Sequence, residues 1–203
     1  NYVNHLPENK YTVELIIMNR TPQYLGEKLK REVKIHYVPE RIKNPLGYNC
    51  RVNEIVKKGN YDILWCNFCT LSDITWLKAA KKYGIPVRIA HSHNSENMGS
   101  KLVLISHLQH KKAISKYVTH FFACSDVAGK FMFGDNIVKQ NNYCLINNAI
   151  ETDKYSYNEN IRMKTRLDLK ISDKIVITNV GRFHFQKNHS FLVNVFSEFY
   201  KKY

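Results

Sequence analysis

The chain reads as an α/β protein built on a parallel sheet with helices on both faces. Three observations predict this. Short apolar runs rich in β-branched and aromatic residues, such as TVELIIM and YDILWC, alternate with longer amphipathic stretches, two of them closed by Gly59 and Gly84. The strand runs are nearly continuous in apolar character, as in strands buried on both faces. With 203 residues, 44% hydrophobic and 12% aromatic, the composition is that of a core-forming chain of one domain and a fraction.

Each element follows from its residues. The opening NYVNHL reads as part of a helix. Thr12 to Met18 predicts a strand, Tyr24 to Glu32 a short helix, and Val33 to Val38 a second strand. Asn53 to Lys58 ends a helix, and Tyr61 to Cys66 is a third strand. Ser72 is placed as the cap of a helix running to Tyr83. Pro86 introduces the strand Val87 to Ala90, and Lys101 to Tyr117 is helical. His120 to Cys124 and Tyr143 to Ile146 are further strands, separated by a helix to Phe133 behind a Ser125 cap. From Asn148 to about Asp168 the apolar rhythm lapses, which reads as a domain boundary. The expected domains are 1–165 and, from 166 to 203, the first strand (Ile175 to Val180) and helix of a second sheet domain.

Charge and cysteines narrow the classes. Lys and Arg total 31 against 17 Asp and Glu, a net charge of +14, which favours polyanions: nucleic acid, anionic membrane or phosphorylated substrates. The aromatics Trp65, Phe121 and Phe122 fall in strands and are expected to be buried, which counts against a basic nucleic-acid-binding protein. No apolar run approaches the roughly 18 residues that a membrane span needs. Five cysteines, an odd count, fit reduced and buried thiols, with Cys66-x-x-Cys69 at a strand end lacking the partner pair of a zinc ribbon. The stretch Lys101 to His120 has four lysines and no acid, with Leu104, Ile105, Leu108 and Ile114 as a partial apolar face. Such a helix either packs on the core or lies on anionic lipid.

Two constellations carry chemistry. In VGRFHFQKNH an apolar strand is followed by Gly181, Arg182 and, five residues on, Lys187 at the start of an amphipathic segment. A strand, a loop with two cations and a helix N-terminus suit a phosphate or pyrophosphate, through oriented N–H groups, a forked guanidinium and a mobile ammonium. The order is neither Gly-x4-Gly-Lys-Ser/Thr nor Gly-x-Gly-x-x-Gly. In the second, His91, Ser92, His93 and Asn94 follow the strand VRIA, where open α/β sheets bind ligands. The two histidines, two residues apart, are expected to point in opposite directions. Only Glu96 lies close enough to complete a metal site, so no metal is expected.

Five stretches, YDILWCN, IPVRIAHSHN, HFFACSDVAGKFMFG, LINNAIETDKY and VGRFHFQKNHSFLVNVF, resemble in order and spacing the family 4 glycosyltransferases of the two-Rossmann-domain (GT-B) fold, especially bacterial capsular, exopolysaccharide and lipopolysaccharide sugar transferases. The resemblance covers nearly the whole chain. It implies a Rossmann-like N-terminal domain on the acceptor side and the beginning of a nucleotide-sugar-binding C-terminal domain. It further implies retaining transfer of a hexosyl or N-acetylhexosaminyl group from a nucleotide-sugar, most often a UDP-sugar, to a glycan or lipid-linked acceptor. No metal or other cofactor and no nucleic-acid partner is implied. The place of action would be the cytoplasm or the inner face of the plasma membrane, with the Lys101–Lys116 region against anionic lipid.

By that resemblance Arg182 and Lys187 hold the donor diphosphate. His93, or one register away His91, stands near the donor sugar at the catalytic centre. Asn94, Asn148, Gly181, Gln186 and Asn188 are the remaining substrate-binding candidates. The family's glycine-rich loop would precede Asn1 and its Glu-x7-Glu segment would follow Tyr203. The chain is therefore expected to be a portion truncated at both ends and inactive alone. Where the family has Asn-Gly-Val-Asp, this chain has Asn148-Ala149-Ile150-Glu151. A sugar-nucleotide epimerase on the same fold is the alternative within this architecture, since fold alone does not fix chemistry.

Overall fold

The computed structural model describes residues 2–17 and 29–202. It divides into two compact units, Asn1–Ile150 and Glu151–Tyr203. In the first unit, β1 (Glu14–Ile17) pairs in parallel with β2 (Lys34–Tyr37). A second sheet runs β3 (Ile63–Phe68), β4 (Val87–Ser92), β5 (His120–Ala123), β6 (Tyr143–Leu145) in that spatial order, every neighbouring pair parallel. Helices α1 (Pro45–Lys58), α2 (Thr75–Lys82), α3 (Lys101–Ala113) and α4 (Asp126–Phe133) intervene. The predicted α/β parallel fold is thus what the chain adopts. The predicted helix at 24–32 falls largely outside the described residues, and 29–32 are not helical.

Local chemistry sets the helix starts. Asn44 accepts from the Gly47 N–H at 2.8 Å while Pro45 fills the first helical position of α1, where a missing N–H costs nothing. Ser100 and Ser125 cap α3 and α4 in the same way. At α2 the structure corrects the expectation, because Asp73 takes the place given to Ser72. Its Oδ1 accepts from the Thr75 N–H at 2.9 Å and the Thr75 hydroxyl at 2.6 Å. The Ser72 carbonyl instead accepts from Arg41 and from the Ser106 hydroxyl. A carboxylate outcompetes a hydroxyl here because buried Tyr48 also donates to it, at 2.7 Å.

The core lies between the second sheet and its helices. Val52, Leu71, Leu77, Ala90, Ile114 and Met132 are fully buried around Phe121, which meets Phe133 edge-on at 5.0 Å. The two sheets are tied at their amino ends by Glu14, which accepts from Tyr61 Oη at 2.5 Å and lies against His36 and Lys34.

The second unit is built differently. It holds a 3₁₀ turn (Thr152–Tyr155), α5 (Glu159–Asp168), a second turn (Phe185–Lys187) and α6 (His189–Lys202). The expected strand over Ile175 to Val180 does not form, and Ile175 and Val180 are 97% and 90% exposed. β-propensity describes fit to a half-buried, hydrogen-bonded surface, and no strand pairs with this run among the described residues.

Candidate functional site

The carboxyl ends of β3 to β6 bring the histidine constellation together. The ladder continues one residue past the strands: the His93 N–H donates to the Phe68 carbonyl at 2.9 Å, Cys124 to Ser92 at 3.0 Å, and Ile146 to Ala123 at 2.8 Å. Register sets Asn67 beside His91 and His91 beside Phe122. His91 and His93 do not diverge as expected. Their ring centroids are 4.2 Å apart, because residues two apart on an extended strand share a face. Ser92, between them, turns the other way and donates to the Ala128 carbonyl of α4 at 2.9 Å.

Aromatic neighbours enclose His91. Trp65 lies at 5.8 Å and Phe122 at 6.1 Å, edge-on, and Tyr2 in turn meets Trp65 at 6.1 Å. Phe121 is buried as expected, whereas Trp65 and Phe122 are half-buried in this ring cluster. His91 is 1% exposed, and neither ring nitrogen has a hydrogen-bond partner of good geometry. Burial pushes its pKa down to about 4, with His93 acting in the same direction and the Ile146 backbone opposing. His93 is half-buried and is also held below the usual histidine range by burial, against a hydrogen bond to the Asn148 side chain. Both rings are therefore neutral near pH 7. His93 Nε2 lies 2.9 Å from Asn67 Oδ1. Asn94 is half-buried and Asn148 exposed. Among the described residues no three His, Cys, Asp or Glu side chains are grouped to hold a metal ion.

The cation loop belongs to the second unit. Lys187 does not open a helix as expected. It ends the 3₁₀ turn Phe185–Lys187, in which the Gln186 N–H is capped by the His184 side chain, and α6 starts only at His189. Asn188 makes the break, with φ of 44°, a left-handed conformation that asparagine tolerates. The Lys187 stem passes close to Gly181: a Cβ there would come within 3.1 Å of Lys187 Cγ, and the exposed lysine would have to shift slightly. Arg182, Gln186 and Lys187 are exposed, and among the described residues Arg182 and Lys187 enter no salt bridge.

The sequence reading missed what holds this loop. His189 Nδ1 accepts from the Asn179 amide at 3.1 Å, and its Nε2–H donates to the Arg182 carbonyl at 2.9 Å. The amide fixes the tautomer, since a neutral imidazole offers one donor and one acceptor. The only sequence signal was a histidine at the first helical position, seven residues after Arg182.

The basic helix α3 is inverted. Its inner face is polar: Ser106 donates to the Ser72 carbonyl, the Leu71 N–H donates to His107 Nδ1 at 3.1 Å, and His110 Nδ1 donates to the Leu71 carbonyl. Lys111 Nζ donates to the carbonyls of Lys130 and Phe131 at the end of α4. Of the expected apolar face, Ile114 is buried and Leu104 half-buried, but Ile105 and Leu108 point outward together with Leu102. The polar partners on the facing loop and on α4 decide which side turns in.

The cysteines also differ from expectation. Cys50, Cys69 and Cys144 are exposed, and Cys66 and Cys124 half-buried. An apolar run does not bury the residue at the strand's outer face or end. All five are free thiols, and burial of the Cys66 sulfur pushes its pKa up to about 12, so it is no nucleophile at neutral pH.

Comparison with known proteins adds one relative. The chain is 27% identical over 204 residues, covering 96% of its length, to a Bacillus subtilis (strain 168) protein named "Putative glycosyltransferase EpsF". It spans 52% of that protein, about half its length. No protein-family model matches the chain, and no solved structure does.

Proposed function

We propose that this chain is the acceptor-side portion of a retaining glycosyltransferase of family 4 and GT-B type. In this reading it transfers a hexosyl or N-acetylhexosaminyl group from a nucleotide-sugar, a UDP-sugar, to a glycan or lipid-linked acceptor in cell-surface polysaccharide synthesis. The observation that carries the reading is the likeness to the Bacillus protein along 96% of the chain. Taken unit by unit, the side chains suit the roles proposed for them. Departure of the leaving group places negative charge on the diphosphate. Two exposed cations on a short loop, Arg182 and Lys187, meet that charge without a metal. His93, neutral and braced on one side, offers a hydrogen-bonding nitrogen to the donor sugar. His91, enclosed by rings and uncharged at neutral pH, keeps charge out of the same region.

The inverted helix α3 supports a place at the inner face of the plasma membrane. Leu102, Ile105 and Leu108, exposed at 77%, 52% and 48%, stand with exposed Lys101, Lys112 and Lys116, and residues 97–125 contain no Asp or Glu. Apolar side chains rimmed by lysine suit an anionic bilayer. Among the described residues no helix is long and apolar enough to cross a membrane.

Calorimetry with UDP, on the protein expressed from its complete reading frame, tests the reading. Arg182→Ala and Lys187→Ala should each weaken binding by about 1–3 kcal/mol, the scale of a charged hydrogen bond. Unchanged affinity in both variants overturns it.

A further inference from the structure

The β3 side chain nearest His93 was not among the sequence-derived candidates. Asn67 is the penultimate residue of β3 and is exposed, so its side chain does not serve the core. Its Oδ1 lies 2.9 Å from His93 Nε2. An amide oxygen only accepts, so Nε2 carries the imidazole proton and Nδ1 is left as the acceptor nitrogen. The following residue, Phe68, accepts the His93 backbone N–H at 2.9 Å. Successive residues of β3 thus hold His93 by side chain and by main chain, and the His91 ring lies against it at 4.2 Å.

We infer that Asn67 is a positioning residue for His93, selecting the tautomer in which Nδ1 accepts a hydrogen bond from a hydroxyl of the bound sugar. The ligand half of this inference rests on the reading that His93 faces the donor sugar; the tautomer half does not. The neighbouring Asn148 is a second partner of the ring, bonded to the same imidazole from the segment after β6. That bond raises the His93 pKa, so it favours the protonated ring. A histidine free to switch tautomers would present a donor part of the time to a hydroxyl that needs an acceptor.

Ring-nitrogen NMR on the 203-residue chain, labelled with ¹⁵N-histidine, tests the tautomer directly, with the His93 signals identified by their loss in His93→Gln. The expected spectrum at neutral pH has a protonated Nε2 and an unprotonated Nδ1. Asn67→Ala should give a mixture of the two tautomers. Asn67→Asp should keep the proton on Nε2 and raise the His93 pKa, because a carboxylate favours the imidazolium. Asn148→Ala should lower the His93 pKa, because the amide it removes favours the imidazolium. A proton on Nδ1 in the parent chain, or an unchanged spectrum in Asn67→Ala, overturns the inference. Asn67 is exposed, so these changes leave the fold intact, which thermal melting checks. In the complete protein Asn67→Ala should lower kcat about tenfold with KM within about twofold, as expected for lost orientation. If His93→Gln leaves sugar transfer unaltered, the ligand half fails while the tautomer result stands.

Discussion

The two compact units follow the same strand, loop and helix grammar and are held in different ways. In the first, parallel strands pair along their length and apolar side chains close a core around Phe121, Leu77 and Met132. In the second, no described residue is buried, and the loop that carries Arg182 and Lys187 is pinned by individual polar contacts, chiefly those of His189. Apolar patterning is therefore necessary for a strand and insufficient. Ile63 to Phe68 becomes one because Val87 to Ser92 lies beside it, whereas Ile175 to Val180, also mostly apolar, has no pairing strand among the described residues.

The contrast can be broken most directly through packing. Phe121→Ala, at a site 1% exposed, should cost about 3–5 kcal/mol in urea unfolding. Phe191→Ala on α6, at a site 62% exposed, should change stability by less than about 0.5 kcal/mol. Comparable losses in the two variants would mean that the second unit has a core of its own.

Acid sharpens the same comparison. His91 is held neutral in the fold, with its pKa near 4, but protonates around 6.5 once unfolded. The unfolded chain binds the extra proton between those values, so stability falls as pH drops from 6.5 toward 4 and levels off below. The loss attributable to this one side chain should be about 3 kcal/mol, and His91→Gln should flatten that limb. An unchanged pH profile in His91→Gln would show that the ring is not held neutral.

The smallest effect concerns the polar pins. His189→Ala removes two hydrogen bonds and should cost about 1 kcal/mol locally. Amide hydrogen exchange across Arg182–Lys187 should speed up several-fold while β4 and β5 keep their protection. Unaltered exchange in that loop would mean that another contact holds it.

Much of this was legible from residues alone. Every strand of the four-stranded sheet was placed to within two or three residues, because buried parallel strands leave an unambiguous apolar run. The location of His91 to Asn94 at a strand end followed from the same reading. What was hidden depended on partners remote in sequence. Asp73 displaced Ser72 as a cap because Tyr48 reaches it from α1. Asn67 is an ordinary strand residue until β4 brings His93 alongside. The direction of α3 depends on carbonyls at Leu71, Ser72, Lys130 and Phe131 that no periodicity within the helix records.

That inversion of α3 has a consequence for how the helix behaves when its surroundings change. A helix seated by greasy contacts would tend to let go when its outer side met an equally greasy medium, since nothing would distinguish inside from outside. Polar rivets respond in the opposite sense: as water is expelled the bonds of Ser106, His107, His110 and Lys111 strengthen. Pressed against a lipid headgroup layer, α3 should grip the body of the protein more firmly while Leu102, Ile105 and Leu108 find apolar company outside.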